Sequence, residues 1–291
     1  MKNPAASIRA RLFAIAKKQN ISFQLLVIRY FQERFLFRLS STRFFNHFFL
    51  KVGVLLYAIE GQYGRPTLDI DFLISQLPSD QDAIKKIFQE ICSVRCVEDG
   101  VEFDSTTIHT ETIRENARYE GIRIKLTCIL DSMRQPLQID IGFGDRLVPD
   151  AVIIDYPAIF TDIAGPKILA YSIETVIAEK FQAMIELSTI NSRMKDFFDV
   201  YRLLKKGAFR HEELKHAITA TFVNRKTGYL QGHSLFTEEF RNDKGRLRLW
   251  LEFVKRTGIS DPLDFAEVMR LISKILKPVW ESMNPENQNN P

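Results

Sequence analysis

Apolar and polar positions alternate in short runs through the first half of the chain, whereas the second half repeats its apolar positions with the period of a helix. The first pattern predicts strands over 48–50, 69–75, 101–113, 121–129 and 137–143, with helices over 54–60 and 79–92 between them. Beyond Pro166 the pattern is almost wholly helical, over 173–189, 193–206, 211–222, 235–256 and 263–282, with Ser172 and Ser192 as expected N-caps. The polar stretch 284–291 reads as a disordered tail. These elements divide the chain into an N-terminal helical arm (1–47), a mixed core (48–165) and a C-terminal helical domain (166–291), an α+β organisation.

Two of the expected strands carry charge where a buried strand is apolar. In 68–72, Leu68, Ile70 and Phe72 fall on one face, and Asp69 and Asp71 share the other. Adjacent carboxylates repel, and a hard divalent cation shared with substrate phosphates is the common way to offset that repulsion. Taken alone, Asp-x-Asp also arises by chance on surface strands and loops. The segment 137–143 repeats the pattern: Leu137, Ile139 and Ile141 on one face, Gln138, Asp140 and Gly142 on the other. Asp140 thus supplies a third candidate carboxylate, and Gly142 leaves space for close approach to the backbone.

Composition limits the remaining possibilities. With 291 residues, 45% of them hydrophobic, the chain can bury a sizeable core and accommodate more than one domain. No apolar run is long enough to cross a bilayer and the first residues lack a signal-peptide core, which predicts a cytoplasmic protein without membrane partners. Cys92, Cys96 and Cys128 have no zinc-type spacing and read as reduced thiols.

The charge is unevenly distributed. Residues 1–51 contain ten Lys or Arg and a single acid, Glu33, interleaved with aromatic residues. Tyr30, Arg34 and Arg38, at helical spacing, suggest a stripe that binds a polyanion; the competing reading makes the aromatics core and the charges a solvated face. In the helical half, Lys180 interrupts an apolar stripe through Ile173, Val176, Ile177 and Met184. Its amine either snorkels to solvent or points into a cleft toward a phosphate. Lys195 and Asp199 have the spacing of an ordinary i,i+4 surface pair.

Taken together, 49–56, 65–71 (Arg-Pro-Thr-Leu-Asp-Ile-Asp), 137–145, 174–181 and 191–199 (Asn-Ser-Arg-Met-Lys-Asp-Phe-Phe-Asp) resemble, in order, the motifs of the AbiEii/AbiGii family of nucleotidyltransferase-like toxins. The resemblance implies a polymerase β-type nucleotidyltransferase core followed by a helical domain. It implies that Asp69 and Asp71 bind Mg²⁺ with Asp140 as third carboxylate, that Lys51 and Gly53 lie in the turn receiving the triphosphate with Arg65 nearby, and that Lys180 contacts nucleotide. Lys195, Asp196 and Asp199 match a Lys-Asp-x-x-Asp motif whose last aspartate is a candidate base or orienter for the acceptor hydroxyl. Where the family usually has Lys-Gly-Gly or Lys-Gly-Ala, this chain has Lys51-Val52-Gly53, and a β-branched residue resists positive φ.

The function so implied is transfer of a nucleotidyl group from an NTP to RNA, with the tRNA 3′ end as the expected acceptor, by a toxin of a toxin–antitoxin or phage-defence pair whose partner is a cognate antitoxin. The basic segment fits an RNA acceptor. Two alternatives remain: transfer to a small-molecule or protein hydroxyl, and a pseudoenzyme that binds nucleotide or RNA without turnover.

Overall fold

The computed structural model describes residues 3–61, 67–115, 119–144, 147–257 and 263–285; Arg65 and most of the expected tail lie outside them. The chain forms two compact units, Met1–Asp145 with Ala151–Ala170, and Arg146–Asp150 with Tyr171–Pro291.

The first unit opens with α1 (Pro4–Gln19) and α2 (Phe23–Ser40), capped by Asn3 and Ser22 respectively. Next come β1 (Phe48–Leu50), α3 (Val54–Glu60), β2 (Asp69–Ile74), α4 (Gln81–Ser93), β3 (Val101–Glu115), β4 (Tyr119–Leu130), β5 (Met133–Phe143), β6 (Val152–Asp155) and β7 (Lys167–Ala170). The strands make one mixed sheet in the order β3-β4-β5-β2-β1-β7-β6. β2 runs parallel to β5 and antiparallel to β1. One sheet face is closed by α2 and α4: Phe72 meets Phe48 edge to face, and Phe88 of α4 packs on both Phe48 and Phe35. Ile70, Ile124 and Ile139 are fully buried on that face.

Within the basic N-terminal segment, the Tyr30, Arg34 and Arg38 stripe is part of this core rather than a polyanion-binding surface. Arg34 and Arg38 are 0% and 2% exposed. Arg38 grips Asp99 with both terminal nitrogens, at 2.7 and 3.1 Å, and also donates to the Val101 carbonyl. Arg34 pairs with Glu33 at 2.7 Å and donates to the Ala164 carbonyl. The Tyr30 hydroxyl donates to the Asp99 carbonyl oxygen. Helical spacing does place Tyr30, Arg34 and Arg38 on one stripe, but the counter-charge of Arg38 comes from a residue some sixty positions away, which periodicity cannot reveal. Of the remaining cations, Arg9 and Arg11 pair with Asp131 and Asp162, Arg43 pairs with Glu90, and Arg29 lies over the Tyr57 ring. Lys17 and Lys18 are exposed at the end of α1.

The second unit contains α5 (Ile173–Leu187), α6 (Met194–Lys206), α7 (His211–Asn224), α8 (Glu238–Asn242), α9 (Lys244–Thr257) and α10 (Phe265–Ser282). Phe181, Phe222 and Trp280 form its aromatic centre. Ser172 caps α5 as expected. The N-cap of α6 is Arg193, one residue later than expected and without a side-chain capping bond, while in the turn before it the Asn191 side-chain oxygen accepts from the Arg193 N–H. The helix expected over 235–256 is broken between α8 and α9 at Asp243, whose backbone is extended. Strands β6 and β7 escaped the sequence pattern because each is only four residues long, and β6 is largely exposed. Among the described residues no helix is long and apolar enough to cross a membrane.

Candidate active site

The sheet face opposite α2 and α4 is the polar face of the first unit. Parallel pairing sets Asp71 beside Asp140 and Asp69 beside Gln138, so the three aspartates share one face, as strand alternation requires. Antiparallel pairing of β4 with β5 then sets Arg123 beside Asp140, and that of β3 with β4 sets Glu111 beside Arg123. The result is a row of Glu111, Arg123, Asp140 and Asp71 across four strands. Asp69, Asp71 and Asp140 are all half-buried.

Asp140 is not an open third ligand. Arg123 Nε and Nη2 donate to its two oxygens at 2.8 and 2.7 Å, a fork-to-fork pair. The bond with Asp140 also holds the Arg123 pKa above its ordinary value. The repulsion between Asp71 and Asp140 is therefore offset on one side by a guanidinium. Sequence reasoning missed Arg123, although the alternation of Ile122, Ile124 and Leu126 already placed Arg123 and Lys125 on a polar face.

The turn after β1 adds a cation and a glycine. The Lys51 N–H donates to the Asp71 carbonyl at 2.8 Å. The Lys51 side chain is buried, and its ammonium lies 3.9 Å from where a Cβ on Gly142 would stand. The space left by Gly142 is thus approached by Lys51. Gly53 has φ of +56°, and a Cβ there would stand 3.2 Å from both Asp71 Oδ2 and Thr67 Oγ1. Gly53→Ala is expected to cost about 1–3 kcal/mol through backbone strain and to crowd Asp71, lowering metal affinity along with the melting temperature; unchanged values of both would contradict this placement.

The unusual backbone of the turn falls on Gly53 rather than on Val52. The positive φ belongs to Gly53, while Val52, half-buried, is absent from the positive-φ residues among those described. Val52→Gly should therefore leave NTP affinity unimproved and lower stability by about 0.5–1 kcal/mol from added chain entropy. Calorimetric titration with an NTP alongside thermal melting checks both expectations.

In the second unit, Lys180 neither snorkels nor stands open to solvent. Its ammonium donates to Asp196 Oδ1 at 2.6 Å and lies 2.9 Å from Asp199 Oδ2. All three side chains are almost fully buried, and Arg193 adds a second cation to Asp196 at 2.9 Å. Burial disfavours the lysine's charge, yet Asp199 and Asp196 outweigh it and keep the Lys180 pKa raised. Burial likewise acts against ionised Asp196, and Lys180 and Arg193 overcome it, so its pKa is lowered. Asp199 belongs to this buried cluster rather than to an exposed pair with Lys195, which is itself exposed.

Asp69 and Asp71 are a donor set of the kind Mg²⁺ uses with substrate phosphates, since that ion commonly takes one or two carboxylates and keeps its other positions for water and phosphate. Among the described residues no group of three or more His, Cys, Asp or Glu is placed to hold a metal ion through protein side chains alone.

A model of the family described as "Nucleotidyl transferase AbiEii toxin, Type IV TA system" matches residues 34–271. The chain belongs to this family of nucleotidyl transferase toxins. Among solved structures it is similar to JHP933 from Helicobacter pylori, at 14% identity with a TM-score of 0.52, covering 92% of this chain and 96% of that one. It is also similar to a candidate nucleotidyltransferase from H. pylori, at 15% identity with a TM-score of 0.50, covering 93% of this chain and all of the other. Both likenesses concern the fold. No curated protein matches the sequence significantly.

Proposed function

We propose that this chain transfers a nucleotidyl group from an NTP to an RNA acceptor, the tRNA 3′ end being the expected one, as the toxin of a toxin–antitoxin pair whose cognate antitoxin is its partner. The observation that carries the reading is the pair Asp69 and Asp71 on the polar face of β2, beside the Gly53 turn, in a chain of the AbiEii family. These two residues would hold Mg²⁺, which supplies charge stabilisation to the triphosphate during displacement.

The acceptor hydroxyl attacks the α-phosphorus, the bond from that phosphorus to the bridging oxygen breaks, and pyrophosphate leaves. The hydroxyl proton passes to a general base or to solvent water; the family motif gives the base role to Asp199, whose carboxylate in this chain is buried against Lys180. Of the other motif positions, Lys180 and Asp196 are spent on each other in the buried cluster, and Lys195 is the exposed cation that would serve the nucleotide. Lys51 and Gly53 form the turn that receives the triphosphate, with Arg65 assigned nearby by the motif.

A second reading has one observation in its favour. Arg34 and Arg38 are spent on buried partners, which weakens the case for a long polyanion and favours a small-molecule or protein hydroxyl as acceptor. Incubation with each α-³²P-labelled NTP, Mg²⁺ and either total RNA, a protein extract or a metabolite extract separates the two. Label on RNA ends supports the first reading, and label confined to protein or small molecules supports the second. No label anywhere would contradict both.

A further inference from the structure

Resting on the proposed metal-dependent transfer, we propose that Arg123 occupies the place of a second metal ion, so that this chain works with one divalent cation held by Asp69 and Asp71. A site that clamps both the attacking and the leaving oxygen with two ions holds them about 3.5–4 Å apart, and the carboxylate beside the Asp69 and Asp71 pair on β5 is Asp140. Asp140 is the third carboxylate on this face, and both of its oxygens are taken by Arg123.

The pairing is built into the sheet rather than left to a mobile surface side chain. Arg123 and Asp140 are direct partners across β4 and β5, and Asp140 is the direct partner of Asp71 across β5 and β2. Glu111, the partner of Arg123 on β3, adds negative charge on the far side, and Asp69 contributes as well. A guanidinium stays charged at every physiological pH and matches a carboxylate through two parallel bonds. A second dication at Asp140 would have to share a carboxylate already held by that fork and sit close to its fixed positive charge.

Arg123 therefore acts as a positioning residue. It fixes Asp140, offsets the repulsion that Asp140 exerts on Asp71, and leaves the Asp69 and Asp71 pair to bind a single ion with the nucleotide phosphates. The guanidinium supplies fixed positive charge where a second ion would supply it on demand.

The test counts metal ions. Mn²⁺ binding is measured by electron paramagnetic resonance and equilibrium dialysis in the presence of an α,β-methylene NTP analogue, which binds but is not cleaved. One Mn²⁺ per chain is expected for the wild type and for Arg123→Lys, which keeps a positive charge. Two are expected for Arg123→Gln, with the spectral broadening that two nearby spins produce. Two ions in the wild type, or one in a folded Arg123→Gln, would overturn the proposal; the wild-type count suffices for this if Arg123→Gln fails to fold. The underlying metal site is tested separately by Asp69→Asn and Asp71→Asn, which should bring the count to that of nucleotide alone, and failure of these variants to change it would overturn the site itself rather than the role of Arg123.

Discussion

Asp71→Asn is expected to lower nucleotidyl transfer by about a thousandfold, because the charge stabilisation supplied by a bound metal ion is worth several kcal/mol and each 1.4 kcal/mol is a factor of ten. The fold should survive, since Asp71 lies on the half-buried polar face while Ile70 and Phe72 carry the packing of β2. Removing the charge also relieves repulsion with Asp140, its partner across β5. In the absence of metal the variant should therefore melt at or slightly above the wild-type temperature. Added Mg²⁺ should stabilise the wild type and leave the variant unchanged. Asp69→Asn should behave in the same way. Transfer assays paired with thermal melts check the prediction, and a variant that retains full transfer would remove the carboxylate pair from the chemistry.

Lys180→Ala is expected to destabilise the second unit by about 3–5 kcal/mol, the usual cost of removing one partner from a buried ion pair. The substitution removes the ammonium that both Asp196 and Asp199 face out of contact with water, while Asp196 keeps its contact with Arg193. Urea denaturation measures the loss. Removing the charges together, in Lys180→Met with Asp196→Asn and Asp199→Asn, should recover much of it, because the cost comes chiefly from uncompensated charge. A Lys180→Ala protein as stable as the wild type, but with weakened NTP binding, would show instead that the lysine acts on the nucleotide and contributes little to the fold.

The same cluster sets a pH dependence. Asp196 is depressed in the folded chain, so its contribution is present above the ordinary aspartate value of 3.8 and lost as pH falls through the lower folded value. Lys180 is raised, so its contribution is complete below the ordinary lysine value of 10.5 and lost as pH rises through the folded one. The wild type should accordingly lose stability below about pH 4 more steeply than Asp196→Asn does.

Strand alternation was enough to place Asp69, Asp71 and Asp140 on polar faces, because the period of two is a local property of each strand. Which strands lie side by side is not local. The parallel pairing of β2 with β5, which brings Asp71 next to Asp140, links segments separated by the whole β3–β4 hairpin. For that reason Arg123 escaped notice, although its own strand alternates cleanly. The same limit explains Arg34, Arg38 and Lys180. Lys180 was correctly seen as a cation in an apolar stripe and Arg34 and Arg38 as sharing one helical stripe, but the partners of Arg38 and Lys180, namely Asp99, Asp196 and Asp199, lie on other elements. In the turn at 51–53 the sequence raised Val52 as a residue that resists positive φ, and the backbone places that conformation at Gly53 instead.

The most direct measurement of the central claim compares one NTP labelled at the α-phosphorus with the same NTP labelled at the γ-phosphorus, using wild type and Asp71→Asn in the presence of Mg²⁺. Nucleotidyl transfer by the carboxylate site predicts that α label becomes attached to the acceptor, that γ label appears only in released pyrophosphate, and that Asp71→Asn does neither. Acceptor labelled from the γ position, or α label transferred equally by the variant, would contradict it.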